Sequence, residues 1–193
     1  MAELTIDPTT TALVAIDLQH GIVNLETVPH DSHDVVKRTA QIAESLRKKG
    51  GYAMFVRVTN AEDGADAIKV EADVIPPASP APKPSHWADL VNELGVGKND
   101  VIITKRQWGA FYGTDLELHL RRRGIKTIVM TGIATNIGVE STARDAYERG
   151  FNQIIVEDAC AALSEEAHNH SFNTTFGRFA KVRSTEQVLE ALS

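Results

Sequence analysis

Short, continuous apolar runs alternate along the chain with longer stretches whose apolar residues recur every three or four positions. The runs lie at 12–16, 52–56, 101–104, 127–131, 153–156 and, more weakly, 179–183. None shows the polar alternation of a half-solvated strand, so each reads as a strand buried on both faces of a parallel sheet. Between them, 33–49 places Val36, Ala40, Ala43 and Leu46 on one helical face and stops at Gly50-Gly51. Thr114-Asp-Leu-Glu117 reads as a capping box opening a helix that Gly124 ends. In 137–149, Val139, Ala143, Ala146 and Tyr147 form the apolar stripe, and Gly150 is the stop. A helix over 164–176 follows Ser164, and a last helix is capped by Ser184 with Gln187. The pattern predicts an α/β protein: one domain over 1–193, with a six-stranded parallel sheet and helices on both faces.

Segment 59–86 breaks the rhythm. It holds five of the seven prolines, in Pro76-Pro-Ala-Ser-Pro-Ala-Pro-Lys-Pro84, and should be extended and stiff. It reads as a loop over the sheet end, an arm onto a neighbouring subunit, or a plain irregular connection.

Composition adds exclusions. The net charge of −6, with acids and bases interspersed, argues against a nucleic-acid surface. The basic run Arg121-Arg122-Arg123 complements the C-terminal end of its helix. No apolar run approaches the roughly 20 residues of a membrane span, and Met1–Pro8 lacks the basic and apolar regions of a signal peptide. The single cysteine forms no intrachain disulfide, so the expected location is the cytoplasm.

In parallel sheets, ligands bind at the carboxyl ends of the strands. Asp17 ends the first apolar run, Lys105 ends the third, and the turn 132–138 follows the fourth. A buried carboxylate beside an ammonium is poised for proton transfer, and amides at a helix start suit a developing oxyanion. Three stretches carry a family resemblance: Val14-Ala-Ile-Asp17-Leu-Gln19, Lys105-Arg-Gln-Trp-Gly-Ala-Phe-Tyr-Gly-Thr-Asp115 and Thr131-Gly-Ile-Ala-Thr-Asn-Ile-Gly138-Val-Glu-Ser-Thr-Ala-Arg-Asp-Ala146. Across nearly its whole length the chain resembles the isochorismatase-like (cysteine hydrolase) family. That resemblance implies a Rossmann-like six-stranded fold, usually oligomeric, and an Asp–Lys–Cys triad. Asp17 would be the acid/base and Lys105 its cationic partner, while Gly138 occupies the place of the nucleophilic cysteine. It also implies a non-proline cis peptide at Ile133–Ala134, aiming backbone amides at the substrate.

The substrate-binding candidates are then Gln19, Trp108, Phe111 and Tyr112, with Ile133, Ala134, Thr135, Asn136 and Ile137 of the turn. Trp108, Phe111 and Tyr112 could equally be core. Cys160 reads as a buried structural thiol. Ser141 and Thr142 lie about one turn into the helix, with no activating base placed beside them. The family's nicotinamidase-type members carry an Asp-x-His metal signature; Arg57-Val-Thr-Asn-Ala-Glu-Asp-Gly64 does not. The pairs His30/His33 and His168/His170 have no third ligand in an obvious position, so neither metal nor cofactor is expected.

The function expected is hydrolysis of a small molecule by Asp17/Lys105 acid–base chemistry without a covalent thiol intermediate. In this, Gly138 matches the true isochorismatases, whereas Thr135-Asn136 is the phrasing of amidohydrolase-like members. The alternatives are a degenerate small-ligand-binding relative and an amidohydrolase using another nucleophile. The expected partners are a small-molecule substrate and further copies of the chain, as a dimer or tetramer.

Overall fold

The computed structural model describes residues 4–74 and 83–193. Most of the proline-rich stretch, 75–82, lies outside the described residues, so its reading as loop or arm is not decided. Six strands form a single parallel sheet: β1 (Thr11–Ile16), β2 (Tyr52–Val58), β3 (Val101–Lys105), β4 (Thr127–Ile133), β5 (Asn152–Ala161) and β6 (Lys181–Arg183). Their order is β3-β2-β1-β4-β5-β6. The chain therefore winds outward one way from β1 and then returns to wind the other way from β4. The switch point lies between β1 and β4, and in sheets of this kind ligands bind outside the carboxyl ends of the strands there.

Each face of the sheet has its own apolar layer. Leu13 and Ala15 of β1 join Val129, Phe55 and Val156 under Val35, Ile42 and Leu46 of α2 (Ser32–Lys48) and Val188 of α6 (Thr185–Ala191). The alternate residues Ala12, Val14 and Ile16 join Met54, Ile103 and Met130 on the other face. There they meet Leu116 and Leu120 of α3 (Leu116–Arg122) and Ala143 and Ala146 of α4 (Glu140–Glu148). Both faces are covered, which is why the strands read as unbroken apolar runs.

Several elements differ from the sequence pattern. A short α1 (His20–Val23), unmarked by periodicity, follows β1. The 137–149 stretch starts as a π-helical turn, Thr135–Val139, before α4. The 164–176 stretch is α5 (Glu165–His170) followed by another π turn, Ser171–Thr175. The capping box expected at Thr114–Glu117 does not form: Asp115 makes no side-chain cap, and Glu117 instead pairs with Arg121 and Arg149. At α6 the reciprocal Ser184/Gln187 box is present.

Strand β5 runs beyond the expected 153–156 to Ala161 and is bulged. Between the Met130↔Ile155 and Gly132↔Cys160 pairs, β4 advances two residues and β5 advances five. The extra length pushes Glu157 and Asp158 out of the ladder, the kind of re-aiming bulges perform beside sites. Opposite it, Gly132 has φ +126°, and a β-carbon there would lie 2.1 Å from the Ile16 carbonyl oxygen, so only glycine fits.

Candidate active site

Asp17 stands where β1 leaves the sheet, with φ 57° in the left-handed region that Asp and Asn tolerate best among side-chain-bearing residues. Its amide still donates to the Val56 carbonyl at 2.9 Å, and its carbonyl accepts from Gln19 N–H at 2.9 Å. This local twist fixes the carboxylate above the carboxyl end of the sheet. Lys105, the last residue of β3, reaches it with Nζ 2.8 Å from Asp17 Oδ2. Side-chain exposure is 2% for Lys105 and 7% for Asp17, so the ion pair is buried.

The two halves of the pair are not equally occupied. Lys105 Nζ also donates to the carbonyls of Gln107 (3.0 Å) and Trp108 (2.7 Å), so its three protons are all engaged. Asp17 Oδ1, by contrast, is buried with no partner among the described residues. Burial pushes the Asp17 carboxyl up to about 6, against the pull of the Lys105 ammonium. A carboxyl at that level exchanges its proton near neutral pH, as an acid/base must.

The turn after β4 closes the third side. A cis peptide joins Ile133 to Ala134, at the position the resemblance implied. A β-carbon on Gly138 would lie 3.1 Å from Asp17 Oδ2, 3.5 Å from Lys105 Nζ and 2.9 Å from the Ile16 Cγ2 methyl. The hydrogen atom that Gly138 carries in place of a side chain therefore points at the ion pair. Thr142 ties this turn to the segment after Lys105, since its hydroxyl donates to the Gly138 carbonyl (2.6 Å) and accepts from Ala110 N–H (3.1 Å).

Not every expected ligand-facing residue faces that way. Gln19 is fully buried, its amide spent on Val58 N–H (2.8 Å), the Val58 carbonyl (3.0 Å) and the Trp87 carbonyl (3.3 Å). It braces the sheet end and has no amide group left for a ligand. Phe111 is core, stacked on Phe151 with the Arg149 guanidinium against it. The side chain of Ile133 packs in the layer under α2, and Ala134 packs against the same layer. Trp108 and Tyr112 are 66% and 76% exposed, Asn136 is exposed and Ile137 partly so. Thr135 is buried, with Oγ1 2.9 Å from His168 Nδ1. Cys160 is fully buried, and desolvation raises its thiol far above the ordinary range, as a structural cysteine requires.

One grouping went unseen in the sequence. His30 and His168, each read beside its chain neighbour, instead meet each other across Glu157. Both Nε2 atoms lie 3.1 Å from Glu157 Oε1. Hydrogen bonding from His168, against partial burial and joined by His30, holds the Glu157 carboxyl down at about 2. In the sequence only the histidines stood out, as the pairs His30/His33 and His168/His170, and nothing marked Glu157 as their common partner. The β5 bulge that unites them has no signature in the apolar pattern.

Comparison with known proteins places this geometry. The isochorismatase domain family matches residues 11–187. The isochorismatase family protein YecD of Escherichia coli O157:H7 is 51% identical over 189 residues, covering 98% of this chain and 100% of the relative. A ureidoacrylate amidohydrolase, RutB of Methylorubrum extorquens, is 31% identical over 221 residues, covering 97% of this chain and 86% of that protein. An isochorismatase family structure from Burkholderia thailandensis superposes with a TM-score of 0.93 at 47% identity, covering 99% of both chains. The matched span contains the ion pair, the cis-peptide turn and all six strands, and on these grounds the chain belongs to the isochorismatase family.

Proposed function

We propose that this chain is a hydrolase of a small molecule, working by Asp17/Lys105 acid–base chemistry with no covalent thiol intermediate. The observation that carries the reading is the buried ion pair at the sheet switch point, with one Asp17 oxygen unpartnered and Gly138 facing the pair. Gly138 takes the position at which the family's cysteine would stand. A β-carbon there would touch both members of the pair, as the third member of a triad must. Without a thiol, the carboxyl of Asp17 gives its proton to the substrate through Oδ1, water attacks the activated centre as the scissile bond opens, and the proton that the water sheds returns to the Asp17 carboxylate. Lys105 keeps Asp17 in place and limits the rise of its pKa. Amides of the 133–138 turn, apart from Ile137 N–H, which donates to the Ala134 carbonyl at 3.1 Å, would offset negative charge that develops on the substrate. Trp108 and Tyr112, exposed on the segment anchored by Lys105, supply flat apolar surface to the substrate. Self-association as a dimer or tetramer, and a cytoplasmic location, belong to the same reading. Among the described residues, no helix is long and apolar enough to cross a membrane.

Two alternatives divide on measurable grounds. Covalent routes through Cys160 and Thr142 are disfavoured, because Cys160 is sealed in the core and the Thr142 hydroxyl is already committed to Gly138 and Ala110; Ser141 lies against Gly109 with no base bonded to its hydroxyl among the described residues. A ligand-binding relative without turnover would keep the binding of a small molecule and lose the proton chemistry. The Asp17→Asn variant separates these cases, since Asn tolerates the same left-handed backbone but holds no transferable proton. Against a panel of vinyl-ether and amide substrates it should lower kcat by about 10²–10⁴-fold, the usual size of an acid/base contribution. Undiminished turnover would remove Asp17 from the mechanism, and an inactive wild type that still binds panel members would favour the binding protein.

A further inference from the structure

We infer that His30, Glu157 and His168 form a binding site for a zinc-class divalent transition-metal ion, separate from the Asp17–Lys105 pair. The ligand atoms His30 Nε2, Glu157 Oε1 and His168 Nε2 lie within 4.8 Å of one another. Both imidazoles converge on the same carboxylate oxygen, each at 3.1 Å. With metal–ligand bonds of about 2.0–2.1 Å, a 3.1 Å separation subtends about 100° at an ion, near the tetrahedral angle. The ring planes of the two histidines stand at 76° with centroids 5.8 Å apart, so their Nε2 edges approach a common point without stacking.

The surroundings fit a ligand set better than a chance contact. His168 is fully buried, and its second nitrogen, Nδ1, is 2.9 Å from the Thr135 hydroxyl. A ligating imidazole ordinarily has its other nitrogen hydrogen-bonded in this way, which fixes ring orientation and leaves Nε2 for the metal. Phe172 packs against the same ring with centroids 4.6 Å apart. His30 and Glu157 are partly exposed, with side-chain exposures of 24% and 39%, which leaves an entry route and a water-accessible fourth position. Two imidazoles and one carboxylate suit zinc, cobalt or nickel; calcium and magnesium favour sets made of oxygen alone.

The ion's place in the fold indicates its role. His30 follows the segment whose Val28 pairs with Ala162 just beyond β5, Glu157 sits in the β5 bulge, and His168 lies on α5. An ion there cross-links three separated parts of the chain. Through His168 and Thr135 it also braces the turn that carries Gly138. The inference rests on the geometry of these three residues, independent of any proposed hydrolysis.

The test uses full-length protein stripped with a chelator, then titrated with zinc against a chromophoric competitor. The wild type should take up one zinc per chain with a dissociation constant on the order of micromolar or tighter. His30→Ala and Glu157→Gln should each weaken binding by about tenfold or more. Both sites are partly exposed, so these variants are expected to fold. His20→Ala removes one member of the other close imidazole pair, His20 and His86, and should bind zinc like the wild type. Cobalt in place of zinc should give a visible d–d band that His30→Ala abolishes. If His30→Ala and Glu157→Gln bind zinc as the wild type does, or if no variant or wild type binds stoichiometrically, the inference is overturned and the cluster is a hydrogen-bonded strut.

Discussion

At the residue scale, Gly138 carries the sharpest expectation. Replacing it with cysteine puts Sγ beside the Lys105 ammonium, which favours a thiolate, and beside the Asp17 carboxylate, which can take the thiol proton. The cost is local: a β-carbon 2.9 Å from the Ile16 methyl requires that side chain to give, at about 1–3 kcal/mol of stability. Gly138→Cys should therefore fold, and at neutral pH iodoacetamide should label position 138 ahead of Cys160, as read by peptide mass spectrometry. Labelling no faster than that of a free cysteine would mean that the pair does not activate this position. Asp17 and Lys105 were legible from the sequence because a charge that ends an apolar run has to be paired or used. Gln19 and Phe111 were not legible. Their neighbours along the chain are the candidate site residues, but local geometry turns Gln19 and Phe111 inward, and no spacing rule reports that turn.

At the element scale, the site depends on connections between sheet ends that no single motif displays. Gln19 joins the end of β1 to β2 at Val58 and to the segment bearing Trp87. Gln19→Ala leaves the partly buried Val58 N–H and carbonyl without this partner, while the Trp87 carbonyl keeps Gly21 N–H at 2.9 Å, and the loss should lower unfolding free energy by about 1–3 kcal/mol in urea titration. Turnover should fall less than in Asp17→Asn, because Gln19 touches no reacting group. A loss of activity equal to that of Asp17→Asn, at unchanged stability, would put Gln19 in contact with substrate after all. The strands were readable because burial on both faces leaves an unmistakable apolar run. The π turns at Thr135–Val139 and Ser171–Thr175 were not, since a shift of one residue in hydrogen bonding barely disturbs a helical pattern. The extra length of β5 escaped for a related reason: Glu157-Asp158 reads as a strand end.

At the scale of the whole molecule, the buried pair ties stability to pH. Asp17 has a folded pKa of about 6 against an ordinary 3.8, so between these values the folded state binds more protons than the unfolded. Its contribution is fully present below the lower value and is lost as pH rises through about 6. The stability difference between wild type and Asp17→Asn should thus move in favour of wild type as pH drops from 7 to 5, by up to about 1.4 kcal/mol per unit below 6. Paired urea titrations at each pH read this directly, and a flat difference would return Asp17 to an ordinary carboxylate. The switch point itself was foreseeable from strand rhythm, because alternating strands and helices leave few ways to wind. The meeting of His30, Glu157 and His168 was not, since it depends on where loops land once the sheet is built. The unequal occupancy of the ion pair has a last consequence, in the handedness of the proposed reaction. With Oδ2 held by Lys105, Oδ1 is the oxygen left to carry the proton, so each transfer starts from the same side of the carboxyl. Where the proton goes to a prochiral carbon, it would then arrive on a single face, and the product would carry one stereochemical sense at that carbon.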